Sequence, residues 1–191
     1  HVIPILKKLM PDIPVIVGGW GCINEHMRSL FTPGSVDVFV VGEGEESLVA
    51  LLSALKENRF QQPIPGCVFG NCDDRFVQKR KPISDINTIP WPTYADFDLA
   101  LYASPSLPLF TSRGCISRCT FCNDWPCSYP YRFRSAENIF DEIQYHVTHN
   151  HINVFSFKDL LCNGNMRELN HLCDLILANG LDIHWDSQAI S

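Results

Sequence analysis

Two hydrophobic rhythms alternate along this chain. Short strand-like runs recur as "IPVIVGG" (13–19), "VDVFVVG" (36–42), "LPLFTS" (107–112), "INVFSF" (152–157) and "LDIHWDS" (181–187), each closed by glycine or polar residues. Runs of this length suit strands, and the continuously apolar ones suit strands buried on both faces of a parallel sheet. Between them the spacing turns helical. A glycine-rich turn leads into a helix over 45–56. Ser135 is suited to cap the next helix, with Glu137 in its first turn, and Ile139, Ile143 and Val147 share a face at i, i+4 and i+8. A further helix is predicted over 165–179, with Gly180 as its left-handed cap. Residues 3–9 read as the end of a helix with Pro11 beyond it, and 25–30 as a short helical stretch before a Pro33-Gly34 turn.

Strand–helix alternation predicts an α/β fold with doubly wound character. Three segments follow. Residues 1–60 form the end of a Rossmann-like α/β domain. Residues 61–106 are a Pro-rich linker or cap, with "GCVFGNCDDRFVQK" as a small hairpin turning near 71–74 and "IPWPTYADFDLALY" showing little periodicity. Residues 107–191 run β-loop-α-β-α-β. No internal repeat interrupts this order.

Charge and composition narrow the classes. Net charge is −6, with 15 Lys+Arg against 21 Asp+Glu, so there is no electrostatic footprint for nucleic acid. No apolar run approaches the roughly 18 residues of a membrane span. Lys7, Lys8 and Pro4 break the N-terminal apolar stretch, so it does not read as a signal peptide. The chain starts at His1 and stops at Ser191 inside a predicted strand, and is read as an internal piece of a longer protein, a poor enzyme by itself with an exposed sheet edge at 183–187. Nine cysteines, an odd number without a secretory signal, point to reduced thiols in a cytoplasm. Cys22, Cys67, Cys72, Cys162 and Cys173 are scattered and read as buried or incidental.

The remaining thiols crowd into "TSRGCISRCTFCNDWP" (111–126), which spaces Cys115, Cys119 and Cys122 as C-x3-C-x2-C directly after a predicted strand, with Cys127 just beyond. Loops at the carboxyl ends of parallel strands are where α/β barrels place their chemistry. Three thiolates could hold zinc with Cys127 or a histidine as the fourth ligand, or three irons of a cubane cluster whose fourth iron stays open. Zinc usually takes two separated ligand pairs, whereas all these thiols share one loop, so the spacing favours the cluster.

The same loop, with Phe121 before the last cysteine and "SRGC" around the first, resembles the motif of the radical S-adenosylmethionine enzymes. The stretches "VIVGG", "VGEGEESL", "IPWP", "FSFKDLLCNGN" and "GLDIHW" resemble the branch that carries an N-terminal cobalamin-binding-type domain. The resemblance implies the C-terminal part of such a domain over 1–60 and the first half of a partial (β/α) TIM-like barrel over 107–191. It implies a [4Fe–4S] cluster on Cys115, Cys119 and Cys122, with S-adenosylmethionine chelated at the open iron. One electron then cleaves the sulfonium to methionine and a 5′-deoxyadenosyl radical, the cofactors carrying the hard step. An electron donor such as flavodoxin or ferredoxin and a small-molecule substrate are implied partners.

Site residues follow from the same resemblance. Phe121 lies near the adenine, or else is a core aromatic beneath the loop. Asp159 contacts the amino or ribose groups of S-adenosylmethionine where other branches carry Gly-Gly-Glu, or else is a solvated strand-end carboxylate. Gly18 and Gly19 let the nucleotide tail of cobalamin approach the backbone, or else form a plain tight turn. "GEGEES" lacks the third glycine of a nucleotide fingerprint, and its glutamates suit the positive end of the following helix. His146, His149 and His151 read as a solvated helix terminus, Arg132 and Arg134 as surface charge or partners of a cofactor carboxylate, and Cys127 as a free thiol or fourth ligand. Rival readings are a radical methylthiotransferase, a zinc-stabilised binding module and an electron-transfer iron–sulfur protein.

Overall fold

The computed structural model describes residues 2–59, 62–70, 78, 80–102, 106–122 and 130–190. Cys72, Cys127 and the proposed turn at 71–74 lie outside these residues. The chain divides into two compact units, His1–Ile83 and Ser84–Ser191.

The first unit holds a three-stranded sheet in the order β1 (Ile16–Gly18), β2 (Val38–Val40), β3 (Cys67–Phe69), parallel between β1 and β2 and antiparallel between β2 and β3. Residues of β2 alternate between faces, as strands must. Val38 and Val40 pack with Leu51 and Ala54 of α3 (Glu45–Lys56), whereas Phe39 joins Cys22, Val36 and Val68 on the other face. Both faces are therefore covered, which is why 36–42 is almost uninterruptedly apolar. Full burial of Leu51 alone is worth about 1.5–3 kcal/mol. Two further helices, α1 (Val2–Leu9) and α2 (Glu25–Ser29), complete the unit. No residue of α1 is buried, and Lys7 ties it down through Asp37 at 2.7 Å.

The "GEGEES" turn is structural. Glu45 and Glu46 occupy the first turn of α3, Glu46 pairs with Arg80, and Glu43 Oε2 accepts the Ile83 amide at 2.7 Å. Residues 61–83 thus join the first unit, adding a strand to its sheet, while 84–106 belong to the second.

The second unit centres on a parallel sheet in the order β4 (Leu107–Leu109), β7 (Val154–Phe157), β8 (His184–Asp186). Beside it, β5 (Ser112–Arg113) and β6 (Arg132–Phe133) form a short antiparallel pair. Helices α4 (Ala136–His149) and α5 (Met166–Ala178) pack on each other, with Ile139, Ile143, Phe155 and Leu172 fully buried in one core. The two predicted caps are present: Ser135 Oγ accepts the Asn138 amide, and Gly180 ends α5 at φ +63°. Asn165, expected as the first residue of α5, is instead its N-cap, with Oδ1 accepting the Glu168 amide. Among the described residues no helix is long and apolar enough to cross a membrane.

Candidate functional site

Strand β4 delivers the cysteine loop. The last β4–β7 backbone contact is the Lys158 amide to the Leu109 carbonyl, 2.8 Å. The chain then leaves that sheet, pairs briefly with β6 through Ser112 and Arg113, and turns at Gly114, whose φ is +84°. Only glycine takes that conformation without strain, so the turn places Cys115 at a defined point. Cys115, Cys119 and Cys122 are all half-buried and outside any disulfide. The Ser117 amide donates to Cys115 Sγ at 3.4 Å, and the Cys122 amide to the Cys119 carbonyl at 3.0 Å. Phe121 is 87% exposed, so the alternative of a core aromatic does not hold. Phe110 and Ile116, on the same stretch of chain, are exposed as well.

Asp159, read from sequence as a cosubstrate contact or a solvated carboxylate, is neither solvated nor open. It is 2% exposed, and its Oδ1 accepts the Thr111 and Ser112 amides at 2.8 Å each, while Oδ2 accepts the Thr111 hydroxyl. Burial pushes its pKa up, and these hydrogen bonds pull against that shift. The segment after it also grips the loop stem. Ser112 Oγ donates to the Leu161 carbonyl at 3.2 Å, and Tyr131 Oη donates to the same carbonyl at 3.3 Å. Tyr131 lies against Gly164, where a Cβ would come within 2.5 Å of its ring. Burial raises the Tyr131 pKa, a Ser112 hydrogen bond pulls against that shift, and the neighbouring Asp159, Cys162 and Cys115 add to it.

Arg134 departs from both sequence readings. It is 7% exposed and joined to Glu142, to the Phe110 carbonyl at 2.8 Å and to Asn138. Burial pushes the Glu142 pKa up against the opposing pull of that guanidinium. Arg132 is half-buried and donates to the Pro130 carbonyl. His146 is likewise no solvated terminus. It is 2% exposed, bonded to Asn150 at 2.7 Å and packed against Tyr94, and burial lowers its pKa. His149 and His151 are exposed as expected.

In the first unit, Gly19 turns at φ +84° beyond β1, and Gly18 lies beside Val40 of β2. Just past them Cys22 is fully buried, its Sγ 3.2 Å from the Gly19 carbonyl and 3.3 Å from the Val40 carbonyl. Glu137, Glu168 and His171 also bring three ligand atoms within 4.8 Å of one another. Both carboxylates sit in helix first turns, and Glu168 accepts the Ala136 amide, so capping accounts for that group.

Sequence reasoning missed the Asp159–Thr111–Ser112 contact, Tyr131 and the Arg134–Glu142 pair. The one available signal was a charged residue inside a helical apolar stripe: Glu142 precedes Ile143 and lies three residues past Ile139.

No family model matches the chain. It is 25% identical to the anaerobic magnesium-protoporphyrin IX monomethyl ester cyclase of Rubrivivax gelatinosus, over 97% of this chain and 35% of the relative. It is 27% identical to an uncharacterised methyltransferase of Pyrococcus horikoshii, over 98% of this chain and 42% of that protein. Among solved structures it resembles the radical S-adenosylmethionine methyltransferase TsrM from Kitasatospora setae, with TM-score 0.65, 21% identity and coverage of 93% and 35%. It also resembles the cobalamin-dependent S-adenosylmethionine radical enzyme OxsB, with TM-score 0.68, 19% identity and coverage of 97% and 27%. The chain thus spans roughly a third of the length of the curated relatives it matches, 31% to 42%. The fold is an α/β fold of the kind found in cobalamin-dependent radical S-adenosylmethionine enzymes.

Proposed function

We propose that this chain is part of a radical S-adenosylmethionine enzyme whose cluster is held by Cys115, Cys119 and Cys122. The observation that carries the reading is a single loop, leaving a parallel strand, that presents three half-buried thiols outside any disulfide. The donor set fits an iron–sulfur cluster. All three are soft thiol ligands, and the Ser117 amide already points at Cys115 Sγ, as a thiolate requires. Three protein ligands leave one iron of a four-iron cluster for S-adenosylmethionine. When bound and reduced, the cluster supplies the electron that cleaves the sulfonium.

The chain's own residues position and shield. Gly114 sets the loop's departure, and Phe121, with its ring exposed, is available to stack on the adenine. Phe110 and Ile116 add exposed apolar side chains to the same stretch of chain. The electron comes from an external donor of the flavodoxin or ferredoxin type, and the radical acts on a small molecule. The named relatives include a cyclase and methyltransferases, so ring closure and methyl transfer are the two reaction classes to test first.

For the first unit we propose the C-terminal part of a cobalamin-binding-type domain, with Gly18 and Gly19 beside the nucleotide tail; for the second, the first half of a partial (β/α) barrel. The TsrM and OxsB structures that the chain resembles hold bound cobalamin, which supports the cobalamin reading of the first unit.

The test is anaerobic reconstitution with iron and sulfide, followed by metal analysis and electron paramagnetic resonance with and without S-adenosylmethionine. About four irons per chain and a spectrum shifted by S-adenosylmethionine are expected. Stoichiometric zinc without iron would overturn the reading in favour of a zinc-stabilised module.

A further inference from the structure

We propose that Asp159 is a positioning residue for the cysteine loop, acting through Thr111 and Ser112 and not on S-adenosylmethionine. The inference rests on the cluster reading of Cys115, Cys119 and Cys122. Its starting point is a gap in the backbone ladder. Leu109 is the last residue of β4 to be bonded by β7, and from Ser112 the chain pairs with β6 instead. At this change of partner the Thr111 and Ser112 amides have left the β4–β7 ladder. Both residues are buried, at 0% and 1% exposure. Buried amides without acceptors are costly, and Asp159 supplies the acceptor for both.

Asp159 sits two residues beyond β7, so its carboxylate fixes the end of one strand to the start of another. Its second oxygen takes the Thr111 hydroxyl. A side chain meant to grasp an amino or hydroxyl group would keep an oxygen facing open space. Here both oxygens are engaged and buried. The grip is doubled from the same segment, because the Leu161 carbonyl accepts from both Ser112 Oγ and Tyr131 Oη. Cys115 follows Ser112 by three residues, with only Arg113 and Gly114 between. Displacement of the stem therefore passes directly to the first metal ligand. Groups that orient metal ligands from behind typically change affinity 10–100-fold when removed.

The experiment compares anaerobically reconstituted wild-type protein with Asp159→Asn, Thr111→Val and Thr111→Ser, all without S-adenosylmethionine. Asparagine keeps one oxygen for the two amides but loses the negative charge that strengthens them, and its NH2 forces the Thr111 hydroxyl to turn from donor to acceptor. Iron loss to a chelator is expected to be about 10-fold faster or more in Asp159→Asn, with a broadened spectrum of the reduced cluster. Thr111→Val, which keeps the amides and the shape, should move both readouts the same way by less, and Thr111→Ser should restore them. The effect of Asp159→Asn combined with Thr111→Val should depart from the sum of the two single effects, since both act on one contact. Wild-type cluster lifetime and spectrum in Asp159→Asn and Thr111→Val, with weakened S-adenosylmethionine binding only in the former, would overturn the proposal and return Asp159 to the cosubstrate. Should Asp159→Asn fail to fold, the valine and serine variants decide alone. Absence of iron uptake by the wild type is a separate failure, that of the cluster reading, and removes this inference with it.

Discussion

Cys22 and Cys115 each lie a few residues at most past a glycine with φ +84°, one in each unit, yet their sulfurs sit in opposite hydrogen-bonding surroundings. The Cys22 thiol is fully buried and donates among carbonyl oxygens of Val17, Gly19 and Val40. It needs its proton there, and burial pushes its pKa up. The Cys115 sulfur is half-exposed and accepts an amide. Acceptance suits a thiolate, the form that binds metal. The direction of the hydrogen bond, together with exposure, separates Cys22 from Cys115 more sharply than sequence neighbourhood does.

The largest effect that can break this contrast is on metal content. Alanine at Cys115, Cys119 or Cys122 should abolish iron uptake, while Cys22→Ala should leave iron per chain unchanged and lower urea stability by about 1–3 kcal/mol. Equal iron loss from both kinds of variant would erase the distinction. Next in size is the buried Arg134–Glu142 pair, which is joined to the Phe110 carbonyl. Arg134→Ala leaves Glu142 buried without its guanidinium and should cost about 3–5 kcal/mol in urea titrations. The Glu142→Gln variant, which keeps an acceptor, should lose less.

A smaller loss, about 1–3 kcal/mol, is expected for Gly164→Ala, because the new methyl meets the Tyr131 ring. The smallest is a pH effect at His146. Its pKa is lowered by burial, so its contribution is present above the ordinary histidine value and lost as pH falls below it. Glu142, raised by burial and 4.0 Å away, acts in the opposite sense and is lost as pH rises through its raised value. Between pH 7 and 5.5, wild-type stability should therefore fall more steeply than that of His146→Gln, in which Glu142 is still present. The difference in slope should be at most about 1.4 kcal/mol per pH unit in paired melts.

Strands and helices were legible wherever periodicity and punctuation agreed. The helix over 45–56, the Ser135 cap and the Gly180 terminus stand where the pattern puts them. Strand β3 was half legible: "GCVF" read as a strand, but its antiparallel partner β2 lies 27 residues earlier by register, Val40 with Cys67, and no local signal announces that. The thiol loop stood out in the sequence because three cysteines share one short segment, and the structure places all three half-buried and outside any disulfide. Asp159 was placed at the right strand end but its partners were not, since Thr111 and Ser112 lie 48 and 47 residues away. His146 and Arg134 read as surface residues because composition says nothing about which face of a helix or ladder a charged side chain occupies.

The contact between Tyr131 and Gly164 sets a rule for descent. A ring pressed on a bare α-carbon leaves no space for a larger residue at 164 until the residue at 131 has become smaller. Lineages sharing this fold should change the two together, a larger residue at 164 arriving with a smaller one at 131. Pairs so coupled mark which ancestral substitutions had to come first, and a chimera that exchanges 130–135 between distant homologues without 161–165 should fail even where every exchanged residue is native to one parent.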